Sequence, residues 1–276
     1  MTTTRKHIED AVTYTALTLA SLMAVFPIYW MVSSSLKLDI LAWSMPPVWI
    51  FQPTFENYVK AFVDKSFDKW TMNSIIIASG STVLSVFLGS LAAYSLTRSN
   101  IKRADDIAFW MLSLRMMPPI VVILPLYILF SQLRLMDTHI GIILAHSIIN
   151  VPFSIWMLRG FFKEIPRDLD EAALVDGASS LRVLFNVLIP IAAPGIAVTA
   201  IFCALQSWND FIFVFALTST NSATVPVKIS GFLGDYLWEW TTFYAAGTIS
   251  IFPMLLLASF FQKYLARGMT LGAIKA

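Results

Sequence analysis

Six apolar segments, each long enough to cross a lipid bilayer, dominate this sequence. A transmembrane helix needs about 20 mostly apolar residues. With 57% hydrophobic and only 13% charged residues, the chain carries more apolar surface than one soluble core could bury. We therefore predict an all-α membrane protein whose 276 residues form one transmembrane domain. The predicted spans are 11–33, 71–95, 107–130, 140–160, 195–217 and 241–264.

Proline residues inside the apolar segments predict kinks or broken turns in several spans. Proline removes a backbone donor, and in a membrane the freed carbonyls must be satisfied by neighbouring helices or water. The interrupting prolines are Pro27, Pro118, Pro119, Pro125, Pro152 and Pro253.

The distribution of lysine and arginine predicts that both termini face the cytoplasm, because positive residues are enriched in cytoplasmic segments. With the N-terminus inside, the inside segments carry twelve Lys and Arg residues and the outside segments six, while Arg115 falls within a span. The polar segment 161–194 is then cytoplasmic, and 36–70 and 218–240 are outside. The first apolar segment lacks a convincing signal-peptide cleavage site, so we expect it to be retained.

The segment 161–194, called here the 161–194 loop, is much longer than a connection between two spans requires. Pro166 suits the first turn of a helix, and the acidic residues within 168–171 favour the positive end of the helix dipole. Gly177 suits the left-handed residue that ends such a helix.

A second helix is predicted to follow, capped by Ser179 or Ser180 and closed at Pro190. Spacing alone leaves two interpretations open: a docking element for a soluble partner, or an interfacial helical hairpin without one. The apolar stripe of the second helix comprises Leu181, Leu184, Phe185 and Leu188.

Asp210 lies well inside the fifth predicted span. A charged group at that depth costs roughly 2.5–3.5 kcal/mol on insertion scales, so it should face a cavity, water or a partner. With Gln206, Trp208 and Asn209 it is predicted either to line a transport pathway or to contact a second membrane subunit. Both interpretations stay open.

Arg115 and Asn150, in the third and fourth spans, are further candidates for a pathway. A direct salt bridge between Arg115 and Asp210 is the less favoured arrangement, because they lie about 12 and 22 Å from the same membrane face at 1.5 Å per residue. His146 and Asn150 share a helix face. Without other metal-ligand residues nearby, we predict packing or pore lining there and no metal site.

The pattern Glu171-Ala172-Ala173, three residues, then Gly177 closely resembles the EAA loop of binding-protein-dependent ABC importer permeases. In that family the loop holds a coupling helix that inserts into a cleft of a cytoplasmic ATPase. The resemblance implies that Glu171 contacts the ATPase and that Gly177 sets the turn. Ala172 and Ala173 would form the packing surface, and Asp176 completes the predicted coupling residues.

Other segments resemble the carbohydrate branch of these permeases, and in particular the smaller six-span partner of the maltose-type pair. The resemblance covers nearly the whole chain in order and implies the type I ABC importer architecture. Arg115, before a double proline, is similar to a feature of the sugar-alcohol members. The matching segments are 55–58, 124–127, 207–210, 224–227 and 267–275.

The resemblance implies a permease subunit of an ATP-driven importer for a sugar or sugar alcohol in a prokaryotic inner membrane. Its partners would be a second permease in a heterodimer, two ATPase subunits holding ATP and Mg, an extracytoplasmic solute-binding protein and membrane lipid, with no nucleic acid. The tail 266–276 would reach the ATPase interface.

The sequence has no G-x-x-x-x-G-K-[ST] phosphate loop, so we expect no cofactor on this chain and no enzymatic activity. Two alternatives remain. One is a permease of the same superfamily for another solute, such as a polyamine, an amino acid or phosphate. The other is a secondary carrier, driven by an ion gradient, in which Asp210 is the ion site.

Overall fold

The computed structural model describes residues 2–235 and 239–270, and within these two ranges it contains helices and no strand. The predicted all-α class is therefore confirmed. The α-helices are α1 (Thr2–Ser35), α2 (Asp39–Ala42), α3 (Glu56–Val59), α4 (Phe67–Arg98), α5 (Ala104–Ser113), α6 (Pro119–Gln132), α7 (His139–Glu164), α8 (Asp168–Val175), α9 (Ser180–Val183), α10 (Ile189–Ile191), α11 (Ala193–Trp208), α12 (Ile212–Leu217), α13 (Val225–Asp235) and α14 (Trp240–Thr270).

Within the part of the chain that the structure describes, four helices are long and apolar enough to cross a bilayer as single elements, and each overlaps one predicted span. The number rises to six if each of two sharply bent helix pairs counts as one span; the pairs are Ala104–Met116 with Pro119–Gln132, and Ser180–Ile191 with Ala193–Trp208. The 32 residues of α4 rise about 48 Å, well beyond the roughly 30 Å of a hydrocarbon core. The four single elements are Glu9–Ser35, Phe67–Arg98, His139–Glu164 and Trp240–Leu257.

The third predicted span, 107–130, is broken into two helices that meet at 90°. Leu114–Met116 forms a 3₁₀ turn at the end of α5, and Met117 is extended with ψ 128°. Proline cannot donate a backbone hydrogen bond, and the residue before it is driven out of the helical region. The predicted break at Pro118 and Pro119 is thus confirmed. The other interrupting prolines lie inside helices: Pro27, Pro125, Pro152 and Pro253.

The fifth predicted span, 195–217, is also divided, into α11 and α12. The Asp210 carboxylate accepts hydrogen bonds from the N–H groups of Phe213 at 3.0 Å and Val214 at 3.4 Å. These donors belong to the first turn of α12, where the intrahelical pattern leaves N–H groups unpaired. The predicted span therefore contains a break that no proline explains, at which Asp210 caps a new helix.

The chain divides into two compact units, one of residues 1–67 and 229–252 and the other of residues 68–228 and 253–276. In the first unit, the buried Asn57 side chain donates to the carbonyl oxygens of Ser35 (2.8 Å) and Lys37 (2.7 Å). Its amide oxygen accepts from the Thr241 hydroxyl at 2.9 Å. These bonds fix the chain that leaves α1 against the start of α14.

In the second unit, two apolar clusters hold the long helices together. One is formed around α4, α6, α7 and α12, and the other packs α4 and α7 against the 161–194 loop. The loop therefore has an apolar anchor of its own in this unit. Buried members are Ile77, Ile142 and Phe213 in the first cluster and Ala93, Leu158 and Leu184 in the second.

Candidate functional site

The first helix of the 161–194 loop, α8, ends at a glycine in the left-handed conformation, as predicted. Gly177 has φ +83°. Its N–H donates to the Leu174 carbonyl, and the N–H of Ala178 donates to the Ala173 carbonyl, both at 3.0 Å. These two bonds form a Schellman motif, which satisfies the last carbonyls of the helix.

Crowding is not what requires glycine at this turn. Among the described residues, no heavy atom beyond its chain neighbours lies within 4 Å of the place where a Cβ at Gly177 would stand. The positive φ alone favours glycine, because other L-residues are strained there.

The predicted coupling residues divide between two faces of the loop. Glu171, Ala172, Asp176 and Gly177 are exposed. Ala173 is half-buried and packs against the apolar cluster of α4, α7 and the loop. The two alanines therefore do not form one surface: Ala172 points outward, whereas Ala173 anchors α8 to the protein itself.

The second helical part of the loop begins at α9, where the Ser179 side chain accepts a hydrogen bond from the Arg182 N–H and caps the helix. Its apolar stripe differs from the prediction. Leu184 and Leu188 are fully buried, but Leu181 is 59% and Phe185 42% exposed. The segment Leu184–Leu188 is π-helical, and Val183, the residue before it, is fully buried as well.

The buried contact that fixes α8 was not predicted as such. Asp170 is 5% exposed and forms an ion pair with Arg98, the last residue of α4. The sequence suggested only that Asp170 interacts with the helix dipole. Its position three residues before the inward-facing Ala173 was the signal that it also points inward.

Asp210, at the break of the fifth span, belongs to a buried polar chain. His146 Nε2 lies 3.3 Å from Asp210 Oδ1, and its Nδ1 hydrogen-bonds the Ser207 hydroxyl. The hydroxyl of Ser81 in α4 donates to Ser207 Oγ at 2.9 Å. His146 and Ser207 are 3% exposed and Ser81 is fully buried. Polar side chains of α4, α7 and α11 are thus hydrogen-bonded to one another at the break in the fifth span. Ser81 was not among the residues predicted from the sequence.

Arg115 lies at the break of the third span, where the 3₁₀ turn aims it toward the fourth and fifth spans. Its Nη2 is 3.4 Å from Gln206 Oε1, and its guanidinium carbon is 4.4 Å from the centroid of the Phe153 ring. Arg115 and Gln206 line a cavity of about 450 Å³ together with apolar side chains. Among the described residues, these are the partners of Arg115, and no ion pair joins it to Asp210.

The remaining pathway candidates lie apart from that cavity. Trp208 is 4% exposed and Asn150 1% exposed. The Asn150 side chain donates to the Cys203 carbonyl at 3.3 Å, while its own oxygen accepts no hydrogen bond from the described residues. Asn209 is exposed and donates to the Leu205 carbonyl. Only Gln206 and Arg115 of the predicted set therefore line the cavity.

The residues with described side chains contain no group of three or more His, Cys, Asp or Glu that could hold a metal ion. His146 and Asn150 are both buried, as expected of packing residues. Residues 271–276 of the predicted ATPase-facing tail lie outside the described residues.

The sequence matches a protein family described as "Binding-protein-dependent transport system inner membrane component" over residues 85–271. It is 35% identical to the trehalose/maltose transport system permease protein MalG of Thermococcus litoralis, over 93% of this chain and 94% of that protein. It is also 35% identical to the trehalose transport system permease protein SugB of Mycobacterium tuberculosis, over 91% and 93% of the two chains.

A solved structure has the same fold. It is a bacterial ABC transporter involved in the import of the acidic polysaccharide alginate, and its matching chain has a TM-score of 0.76. The two chains are 23% identical, and the match covers 94% of this chain and 97% of the other. At that identity the likeness concerns the fold alone.

Proposed function

Since this chain belongs to the family of binding-protein-dependent transport system inner membrane components, we propose that it is one of two permease subunits of an ATP-driven importer for a sugar or sugar alcohol. The family match and the apolar, span-length helices together identify the chain as a multi-pass membrane protein with a role in transport. Relatives named for trehalose and maltose transport support a carbohydrate substrate. Hydrolysis of ATP, with its Mg, is assigned to two partner ATPase subunits.

The coupling role is carried by one observation, the exposed end of α8. Glu171, Ala172, Asp176 and Gly177 are all exposed, while Asp170 and Ala173 on the opposite face fix the helix to the rest of the unit. A helix held on one face and terminated by a Schellman motif presents its other face to a partner in a fixed arrangement. Such a surface suits insertion into a cleft of an ATPase.

The proposed orientation places the 161–194 loop and both termini in the cytoplasm. The twofold excess of Lys and Arg in the inside segments supports it. The segments 36–70 and 218–240 then face the opposite side, where a solute-binding protein would deliver the substrate. Closure of the ATPases would move the loop and alternate the access of the pathway by rigid-body rotation.

For the pathway, we favour the cavity lined by Arg115 and Gln206. The Arg115 guanidinium and the Gln206 side-chain amide can donate hydrogen bonds to sugar hydroxyls. The Phe153 ring beside the guanidinium restricts its orientation. Because both residues lie at or next to a broken span, this arrangement resembles the broken helices that line substrate sites in other transporters.

The coupling role can be tested by site-specific crosslinking in membrane vesicles. In a Cys203→Ser background, which removes the single cysteine, Ala172→Cys would carry a photoactivatable maleimide probe. We expect an adduct with the ATPase subunit whose yield changes on addition of ATP and vanadate. The matched control is Ile50→Cys, which is 95% exposed in the other unit and should give no ATPase adduct.

An absent adduct at position 172, or equal yields at positions 172 and 50, would contradict the coupling role. The crosslinking uses inside-out vesicles, in which ATP and vanadate reach the ATPase. Orientation is tested separately in sealed right-side-out vesicles, where a membrane-impermeant thiol reagent should modify position 50 and leave position 172 unmodified.

A further inference from the structure

Helix α4 makes polar contacts at three levels of the second unit. Its 32 residues span about 48 Å. The 161–194 loop contacts one end, the polar chain of Asp210 contacts the middle, and the residues that follow α12 contact the other end. All of these elements belong to the unit of residues 68–228, so their geometry can be compared directly.

At the end nearest the loop, α4 is joined to α8 by reciprocal contacts. The Arg98 guanidinium pairs with the Asp170 carboxylate, and the two side chains are only 9% and 7% exposed. Arg98 Nη2 also donates to the Ile165 carbonyl at 2.9 Å. In return, Arg167 Nη2 donates to the Thr97 carbonyl at 3.0 Å and satisfies one of the last carbonyls of α4.

These contacts matter because the covalent connection into the loop is short and not helical. Helix α7 ends at Glu164 and α8 begins at Asp168, with Ile165 extended between them. A buried charge whose partner is removed is left without compensation, so the Arg98–Asp170 pair holds α8 to α4 in one arrangement.

At its other end, α4 holds the segment 218–225. The Asn73 side chain donates to the carbonyl oxygens of Asn221 (2.8 Å) and Ala223 (2.9 Å). The hydroxyl of Ser74 accepts from the Val225 N–H at 2.9 Å. Asn73 and Ser74 are buried, and they lie about 38 Å along the helix from Arg98.

Between these ends, α4 touches the break in the fifth span. The Ser81 hydroxyl donates to Ser207, which hydrogen-bonds His146, the partner of Asp210. A displacement of α4 therefore acts on the only predicted span that carries a carboxylate at mid-depth.

We propose that α4 transmits movement of the 161–194 loop to the Asp210 polar chain and to the segment 218–225, with Arg98 and Asp170 as the positioning residues that connect loop and helix. This inference rests on the proposed coupling role of the loop. It adds a specific connection: α8 acts on α4 through a buried ion pair, besides its covalent continuity with α7.

The test uses the complete importer in proteoliposomes, with transport and ATP hydrolysis measured separately. Arg98→Ala and Asp170→Ala should each reduce transport at least about tenfold while basal hydrolysis continues, so that fewer solutes move per ATP hydrolysed. The exchange Arg98→Asp with Asp170→Arg restores the pair in reverse and should recover a substantial part of the coupling. Arg159→Ala, which removes an ion pair to the 80% exposed Asp105, is the matched control and should stay within about twofold of wild type.

A second measurement follows the far end of α4. Thr220→Cys in the Cys203→Ser background places a thiol on an exposed residue of the segment 218–225. We expect its rate of reaction with an impermeant maleimide to change when vanadate traps the ATPases. Arg98→Ala should abolish that change, and the charge exchange should restore it.

Three results would overturn the proposal. The first is transport per ATP within twofold of wild type in Arg98→Ala and Asp170→Ala. The second is a vanadate-dependent change at position 220 that survives Arg98→Ala. The third is that Arg98→Ala and Asp170→Ala lose both transport and co-purification with the ATPase, and that the charge exchange restores neither. The pair would then only stabilise the fold. Failure of the coupling role itself would be seen separately, as a missing ATPase adduct at position 172 in the otherwise wild-type chain.

Discussion

The 161–194 loop and the segment 218–225 both contact α4, but they are ordered in opposite ways. In the first, one face is fixed by the Arg98–Asp170 pair and by apolar packing, and the other face is exposed. In the second, the backbone itself converges on a single carboxylate. Asp137 accepts hydrogen bonds from the N–H groups of residues 219–222 and from the hydroxyls of Ser219 and Ser222.

This difference indicates different mechanical roles. A loop that is fixed to α4 on one face can move together with α4 while its other face binds a partner. A segment in which four successive amides bind one anion resists internal change and moves as a rigid body. Asp137 itself has φ +54°, a conformation that aspartate adopts more often than most other non-glycine residues.

The largest effect is expected from Asp137→Ala. A hydrogen bond to a charged group contributes about 1.5–3 kcal/mol, and this change removes several at once. Hydrogen exchange of amides 219–222 should accelerate more than ~100-fold, whereas amides of α8 should keep their protection. Asp137→Asn, which retains one acceptor oxygen, should give an intermediate rate. Equal exchange in the wild type and the alanine variant would show that contacts with Asn73 and Ser74 order the segment without Asp137.

We expect the stability of the segment bound to Asp137 not to depend on pH near neutrality. Burial alone would raise the pKa of Asp137, but hydrogen bonds from Ser222 and Ser219 hold that pKa well below its ordinary value. A depressed carboxyl pKa contributes stability above the unfolded pKa of about 3.9, and the contribution is lost as pH falls through the folded pKa. Exchange rates of amides 219–222, corrected for intrinsic chemistry, should therefore agree between pH 5 and pH 8.

A smaller effect is expected from Gly177→Val at the end of α8. A left-handed backbone costs an L-residue roughly 1–2 kcal/mol, and β-branching adds to the strain. Amides 177 and 178, which donate the two bonds of the Schellman motif, should exchange about tenfold faster, with little change at 219–222. Gly177→Asn is the control, because asparagine tolerates this conformation. Similar exchange in both variants would mean that the turn does not depend on the left-handed residue.

The sequence predicted features that depend on neighbouring residues. Pro118 and Pro119 act on their own backbone, so the break in the third span followed from their positions. Gly177 and Ser179 act within a turn or two, so the end of α8 and the start of α9 were also predictable. In each case the physical cause lies within a few residues of its effect.

Features that depend on residues distant in sequence were missed. Asp137 was not singled out by the sequence, because its donors come from residues 219–222. Asp170 and Arg98 pair only after α4 and α8 pack. The division of the fifth span is an exception, because Asp210 caps α12 through N–H groups only three and four residues away; its depth in the apolar segment predicted a pathway or a subunit contact instead.

The smallest effect is expected from Asp105→Asn, which compares an exposed ion pair with the buried one. Hydrogen bonds from Arg159 and then Lys163 lower the pKa of Asp105 to about 2, but its side chain is 80% exposed, and such pairs contribute little because water and salt screen them. Its contribution is present above the ordinary carboxyl pKa and is lost as pH falls toward the folded value, so it is constant across neutral pH. Thermal unfolding of the detergent-solubilised protein should shift less than for Gly177→Val, and raising the salt concentration should remove the remaining difference from wild type. Asp105→Asn could instead accelerate hydrogen exchange of the α8 amides as much as Asp137→Ala accelerates that of amides 219–222. Burial of a contact would then not decide how strongly it orders a loop of this unit.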